Sequence, residues 1–372
     1  MEGGSSSHFP EELSEKELKQ RSRLIDKQLQ SEARSKKDEQ TILMLGPAQS
    51  GKSTFCKQMK ILHLFGFTEN EKENFKWIVH TNTLDAILDL IQGAQELGIT
   101  LDGDNQEVAT DLYEQYRVNK DVEPETIEVD NVMTPVFAID QALGKVIKTL
   151  WEDPGIRQTY NQRSQLKFHL GDSVAYYLDE VERTSDPKYV PDEIDILRAR
   201  VKTTSVVETT FEWEGAAFRL VDVGGQKGER KKWLPLFSGV TAILFCVAMN
   251  EYDVMMEEDP TTNRMHDALQ LWHDVVNNHH LINVPIILFL NKKDLFESKI
   301  QKKDLKVCFP NYKGGKDYDK ASTYIRDKFL REVPRGKVVK AHFTQATDTK
   351  NIQIVWNSLR EIFISKVMEE IV

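Results

Sequence analysis

Two hydrophobic textures alternate along the chain. Residues 41–45 form a short apolar run, the pattern of a strand buried on both faces, and residues 55–62 follow with helical spacing. Between about 69 and 196 the period stays helical, as at 83–91 and 174–178, with Pro187 and Pro191 punctuating the exit. That stretch predicts an all-helical insertion. From Val201 the mixed texture returns, with strands predicted at 218–222, 241–248, 285–290 and 338–343. Helical stretches lie between them, for example around Trp272, and a last helix is predicted from about Asn351.

Alternating strands and helices imply an α/β fold: a doubly wound, mostly parallel sheet, here interrupted by the helical insertion. Ligands in such sheets sit at the carboxyl ends of the strands. Ahead of the first strand, residues 1–10 are Gly/Ser-rich, and 11–40 are dense in mixed charge with Leu13, Leu18, Ile25 and Leu29 interspersed. This predicts an exposed helix whose thin apolar stripe needs a partner. His342, in the last predicted strand, has no ligand-type neighbour at metal spacing and reads as a packed or edge residue.

Composition changes this picture little. With 372 residues, 40% hydrophobic and 29% charged, the chain has ample material for about two domains. Its net charge of −10 argues against a nucleic-acid surface. The three cysteines, Cys56, Cys246 and Cys308, form no pair at metal or redox spacing, as in reduced intracellular proteins. No apolar run reaches transmembrane length, and no signal-peptide core opens the chain.

Three stretches carry chemistry. Gly46-Pro47-Ala48-Gln49-Ser50-Gly51-Lys52-Ser53-Thr54 matches the phosphate-binding loop G-x-x-x-x-G-K-[ST], and it stands between a strand and a helix as that motif requires. Its main-chain N–H groups and the helix N-terminus suit an anion. Lys52 is placed to reach the β- and γ-phosphates, and Ser53 to bind Mg²⁺. Asn291-Lys292-Lys293-Asp294 follows a buried strand. The Asp294 carboxylate can accept the N1–H and exocyclic amine of guanine, and adenine has no N1–H to offer. Asn291 can bridge loops, and the Lys292 stem can cover a purine face. Asp222-Val223-Gly224-Gly225-Gln226 also ends a strand. There Asp222 can hold Mg²⁺ through water, Gly225 can bring its N–H to a γ-phosphate, and Gln226 can orient a water.

From about residue 41 to 366 the sequence resembles the α subunits of heterotrimeric G proteins. The resemblance is most specific at 197–204, 222–233, 263–266, 291–296 and 344–349. It implies a Ras-like GTPase domain (41–68 and 197–372), an inserted helical domain (69–196) and an N-terminal arm (1–40). It further implies that Arg200 is a built-in catalytic arginine and Gln226 the water-positioning glutamine. Thr203 would join Ser53 and Asp222 at Mg²⁺. Leu197 and Arg198 would border the ribose, Ala346 and Thr347 would touch guanine, and Asp172-Ser173 would reach across the cleft toward Lys292. The expected activity is slow hydrolysis of GTP to GDP, with the γ-phosphate ordering two switch segments at about 200–212 and 224–236. Expected partners are a βγ dimer on the N-terminal helix and switch two, a seven-transmembrane receptor on the C-terminal helix, and effectors or RGS proteins on the switches.

Several residues depart from the family pattern. Ala48-Gln49 replaces Gly-Glu, which adds a methyl group near Gln226 and removes the carboxylate that pairs with the switch arginine. These two residues also support a second reading, a GTP-gated scaffold that barely hydrolyses. Ser205 stands where the family has Gly on the face that RGS proteins touch, which argues against RGS acceleration. Lys227-Gly228 replaces Arg-Ser and keeps charge but not fork geometry. Residue 2 is Glu2 and no cysteine precedes Cys56, so the N-terminal lipidation patterns are absent. A cytoplasmic protein held at the inner face of the plasma membrane through its partners is expected.

Overall fold

The computed structural model describes residues 39–118, 124–129, 132–213 and 215–357. The predicted N-terminal helix and the end of the C-terminal helix lie outside them. Six strands form the main sheet: β1 (Gln40–Leu45), β4 (Val207–Trp213), β5 (Ala216–Asp222), β6 (Ala242–Ala248), β7 (Ile286–Asn291) and β8 (Val339–Phe343). The order is β4-β5-β1-β6-β7-β8, parallel throughout except for the β4–β5 pair.

Burial explains why these segments are strands. Every residue of β6 and β7 is buried, as expected for central parallel strands covered on both faces. Along β1 the side chains divide by parity. Leu43 and Leu45 enter a core with Phe245, Trp272 and Phe296, while Ile42 and Met44 enter the opposite one with Phe55, Met59 and Trp356. Edge strand β4 instead alternates, with Phe211 buried and Glu208, Thr210 and Glu212 exposed. His342 sits half-buried on the other edge strand, β8.

Register aligns the strand ends. Met44 lies beside both Asp222 and Leu244, Leu45 beside Phe245, Ala248 beside Asn291, and Leu290 beside Phe343. The loops after β1, β5, β7 and β8 therefore emerge along one edge. Helix α1 (Lys52–His63) starts directly at the phosphate loop.

The inserted stretch opens with α2 (Glu69–Leu97). Its start is fixed by a reciprocal capping box between Thr68 and Glu71, and its end by Gly98 in the left-handed region at φ 65°. Around α2 the helices Gln141–Glu152, Pro154–Asn161 and Val174–Asp179 bury Ile87, Leu90, Ile147, Trp151 and Leu178. One departure from the all-helical expectation is an antiparallel hairpin, β2 (Glu125–Val129) and β3 (Val132–Val136). Val129 buries itself against Phe75, Ile78 and Tyr177, which gives the hairpin an apolar anchor. Buried His80 links three elements: its Nδ1 accepts from the Ile139 N–H at 3.1 Å and its Nε2 donates to the Thr184 carbonyl at 2.8 Å. Burial holds the ring neutral by depressing its pKa.

Candidate functional site

The phosphate loop is built by close approach. A Cβ at Gly46, whose φ is +134°, would lie 2.2 Å from the Cys246 carbonyl oxygen of β6. One at Gly51, φ +102°, would lie 2.1 Å from Asn291 Nδ2. Glycine is demanded at both positions by backbone conformation and by space. Within the loop, Ser50 Oγ donates to the Pro47 carbonyl at 2.9 Å. Lys52 Nζ is buried and donates to the Gly46 and Pro47 carbonyls at 3.0 and 2.8 Å. Burial lowers its pKa, opposed by Asp222. A buried ammonium held by two neutral carbonyls gains strongly from any anion that enters the loop.

Three side-chain oxygens from three segments meet at Ser53. Its hydroxyl donates to Asp222 Oδ2 at 2.6 Å and lies 3.1 Å from Thr203 Oγ1. Two hydroxyls and one carboxylate form a hard, oxygen-only set suited to Mg²⁺ with phosphate oxygens and waters completing its shell. Among the described residues no cluster of three or more His, Cys, Asp or Glu side chains could hold a metal by itself.

Gly225 faces this loop. A Cβ there would come within 2.5 Å of Lys52 Nζ and 2.6 Å of Ala48 N. Its peptide is fixed from behind: the buried Trp233 indole donates to the Gly224 carbonyl at 3.0 Å. Because a trans peptide points its C=O and N–H in opposite directions, this bond sets the direction of the Gly225 N–H. Arg230 Nε donates to the Gly225 carbonyl at 3.2 Å while its two terminal nitrogens grip Asp267. Gln226 follows, half-buried, at the start of a turn closed by Glu229 N to the Gln226 carbonyl at 2.9 Å.

Asn291 ties the loops together. Its Nδ2 donates to the Ser50 carbonyl at 2.8 Å, and its Oδ1 accepts from Thr344 Oγ1 at 3.2 Å and from the Ala346 N–H at 3.0 Å. Ala346 is buried and Thr347 half-buried beside it, and Gln58 Nε2 donates to the Ala346 carbonyl at 2.9 Å. Asp294 lies half-buried in the first turn of the helix Lys293–Ile300.

Lys292, in the left-handed region at φ 61°, donates to Asp172 Oδ2 at 2.6 Å and Glu251 Oε1 at 3.0 Å. Burial works against its charge, but the two carboxylates outweigh burial and raise its pKa. Asp172 also accepts from Asn250 Nδ2 at 2.9 Å. Ser173 precedes the helix Val174–Asp179 without a side-chain capping bond. Leu197 is buried, and the Arg198 guanidinium lies 4.6 Å from the Tyr176 ring centre.

Arg200 is exposed, and the side-chain amide of Gln49 lies beside its guanidinium. Gln49 lacks a carboxylate but can still accept from the guanidinium. With its amide oxygen turned toward Arg200, it accepts from the two terminal guanidinium nitrogens at 3.1 and 2.7 Å. The bond is neutral on one side and so weaker than a carboxylate–arginine pair. Gln49 achieves it from the left-handed region, at φ 60°. Sequence reasoning did not single out Asn82, Asn250 or Glu251 at this edge. None of them belongs to a motif, and their partners are distant in sequence.

Comparison with known proteins agrees with this geometry. Residues 19–363 match the family model described as G-protein alpha subunit. The chain is 41% identical over 344 residues to the "Guanine nucleotide-binding protein alpha-2 subunit" of Dictyostelium discoideum, covering 92% of this chain and 93% of that protein. It is 40% identical over 347 residues to the "Guanine nucleotide-binding protein G(o) subunit alpha" of Caenorhabditis elegans, covering 93% and 94%.

Proposed function

The chain belongs to the G-protein α-subunit family, and from that premise we propose how its own residues carry the switch. It is a guanine-nucleotide-binding GTPase that acts in heterotrimeric G-protein signalling between receptors and effectors. The observation that best supports the site assignment is the convergence of three loops on one sheet edge: the phosphate loop, the Ser53–Thr203–Asp222 oxygens, and Asn291 to Asp294.

In this assignment residues 46–54 cradle the phosphates, with Lys52 leaving its carbonyl partners for a phosphate oxygen. Ser53 and Thr203, with Asp222 acting through water, would hold Mg²⁺, which when bound would neutralise phosphate charge. Asp294 reads guanine, Lys292 covers the base and is steadied by Asp172, and Ala346 and Thr347 close the base pocket. Leu197, Arg198 and Ser173 border the sugar. Gly225 offers its N–H to the γ-phosphate. Gln226 orients the attacking water, and Arg200 meets the charge that spreads over the phosphoryl oxygens in the transition state. Residues 41–68 and 197–372 then form the GTPase domain and 69–196 the helical domain.

Finer partner assignments follow from the same scheme. The exposed switch-two residues Lys227, Gly228 and Leu234 suit a βγ dimer or an effector, and both chain ends would add contacts to βγ and receptor. No helix among the described residues is long and apolar enough to cross a membrane. Residence at the inner face of the plasma membrane would therefore be peripheral.

Displacement of a labelled guanine nucleotide tests the site. GDP displaces it in the presence of Mg²⁺ and ADP at equal concentration does not. Equal displacement by both would defeat the assignment of Asp294 as base reader.

A further inference from the structure

Asn82, in the middle of α2, holds Arg200 by its main chain. The Arg200 N–H donates to Asn82 Oδ1 at 2.7 Å, and Asn82 Nδ2 donates to the Arg200 carbonyl at 3.1 Å. One side-chain amide thus grips both polar groups of a single residue's backbone. That grip fixes the peptide planes on either side of Arg200, and with them the direction of its Cα–Cβ bond.

The residues just before it are held from the opposite side. Lys57 Nζ, on α1, donates to the Ile196 carbonyl at 2.9 Å and the Ala199 carbonyl at 2.6 Å. The guanidinium itself lies beside the Gln49 side-chain amide, whose oxygen accepts from it when turned that way. Through the Ala199 carbonyl Lys57 steadies the peptide that leads into Arg200, and of these three supports Asn82 alone also holds the peptide that leaves it. Helix formation gives no reason for asparagine at position 82, since asparagine ranks among the weaker helix formers.

We propose that Asn82 is a positioning residue for GTP hydrolysis. It aims the Arg200 side chain and has no part in binding the nucleotide. This rests on the reading of Arg200 as the transition-state arginine. It has a physical consequence: Asn82 stands on the inserted segment, so the arginine is aimed only while α2 lies against residues 196–200. Guanidinium placement matters most when charge develops on the phosphoryl oxygens, so the hydrolysis step feels the loss and ground-state affinity does not.

Single-turnover GTP hydrolysis of the full chain tests it, read alongside GDP affinity and thermal midpoint. Asn82→Ala and the milder Asn82→Ser are both expected to slow hydrolysis by about tenfold, with GDP affinity unchanged. In an Arg200→Ala background, Asn82→Ala is expected to add no further loss, because the two residues act as one unit. Wild-type rates in both Asn82 variants would overturn the proposal. So would the same proportional loss in the absence of Arg200, which marks a role in the fold alone. An Arg200→Ala protein that hydrolyses at the wild-type rate would instead sink the assignment of Arg200 on which this rests.

Discussion

Arg200→Ala slows single-turnover GTP hydrolysis by about 10³–10⁵-fold, the range carried by an arginine supplied in cis, as in heterotrimeric α subunits, or in trans by an accelerating protein. The physical reason lies in where charge develops. Transfer of the phosphoryl group to water spreads negative charge over its oxygens, and a donor already in place neutralises it without reorganisation cost. In this chain the backbone contacts of residues 196–200 would pre-position that donor, and the Gln49 amide lies beside its guanidinium. Arg200→Lys keeps the charge but loses the planar fork, so it recovers only a small part of the rate. GDP affinity changes little in either variant, because the arginine acts in the transition state. Phosphate release measured with purified protein checks this. A loss confined to GTP binding, with hydrolysis of bound GTP intact, would move Arg200 from chemistry to ground-state binding.

Asp294→Asn weakens guanine-nucleotide binding by about 10²–10⁴-fold, the loss of two hydrogen bonds to a charged acceptor at roughly 1.5–3 kcal/mol each. The same change favours xanthine nucleotides. Xanthine carries an oxygen where guanine carries its exocyclic amine, and an asparagine N–H can donate to that oxygen. The surrounding loops stay in place because Asn291, not Asp294, makes the bonds to Ser50, Thr344 and Ala346. Competition between GDP and XDP for the variant separates a specificity change from unfolding. Loss of all nucleotide binding with a normal thermal midpoint would contradict the base-reading role.

The parts of this molecule legible in the sequence are those where local pattern and burial coincide. β1, β6 and β7 are buried on both faces, so they appear as unbroken apolar runs next to the motifs they carry. The edge strand β4 is half-exposed, and its alternation of Val207, Thr209, Phe211 and Trp213 with polar residues is a fainter signal inside a switch segment. The β2–β3 hairpin is fainter still, short and interrupted by Pro135, and it sits in a stretch otherwise dominated by helical period. At the site, motifs marked the loops that the fold brings to one sheet edge, because loops of the phosphate- and base-binding type keep a fixed spacing. They could not find Asn82. Its partner is a backbone 118 positions away, and no residue type at Arg200 is needed to offer an N–H and a carbonyl. Nor could charge counting show that Gln49 can still accept from Arg200, since that depends on an amide's orientation.

A third phosphoryl group is expected to fix switch two by engaging the Gly225 N–H, whose peptide is tied to the Trp233 indole. Tryptophan fluorescence on adding aluminium fluoride to the GDP-bound protein with Mg²⁺ tests this most directly. A rise in intensity that disappears in Trp233→Phe, and without Mg²⁺, is the predicted result. No change on adding fluoride, or an equal rise in Trp233→Phe, would contradict it.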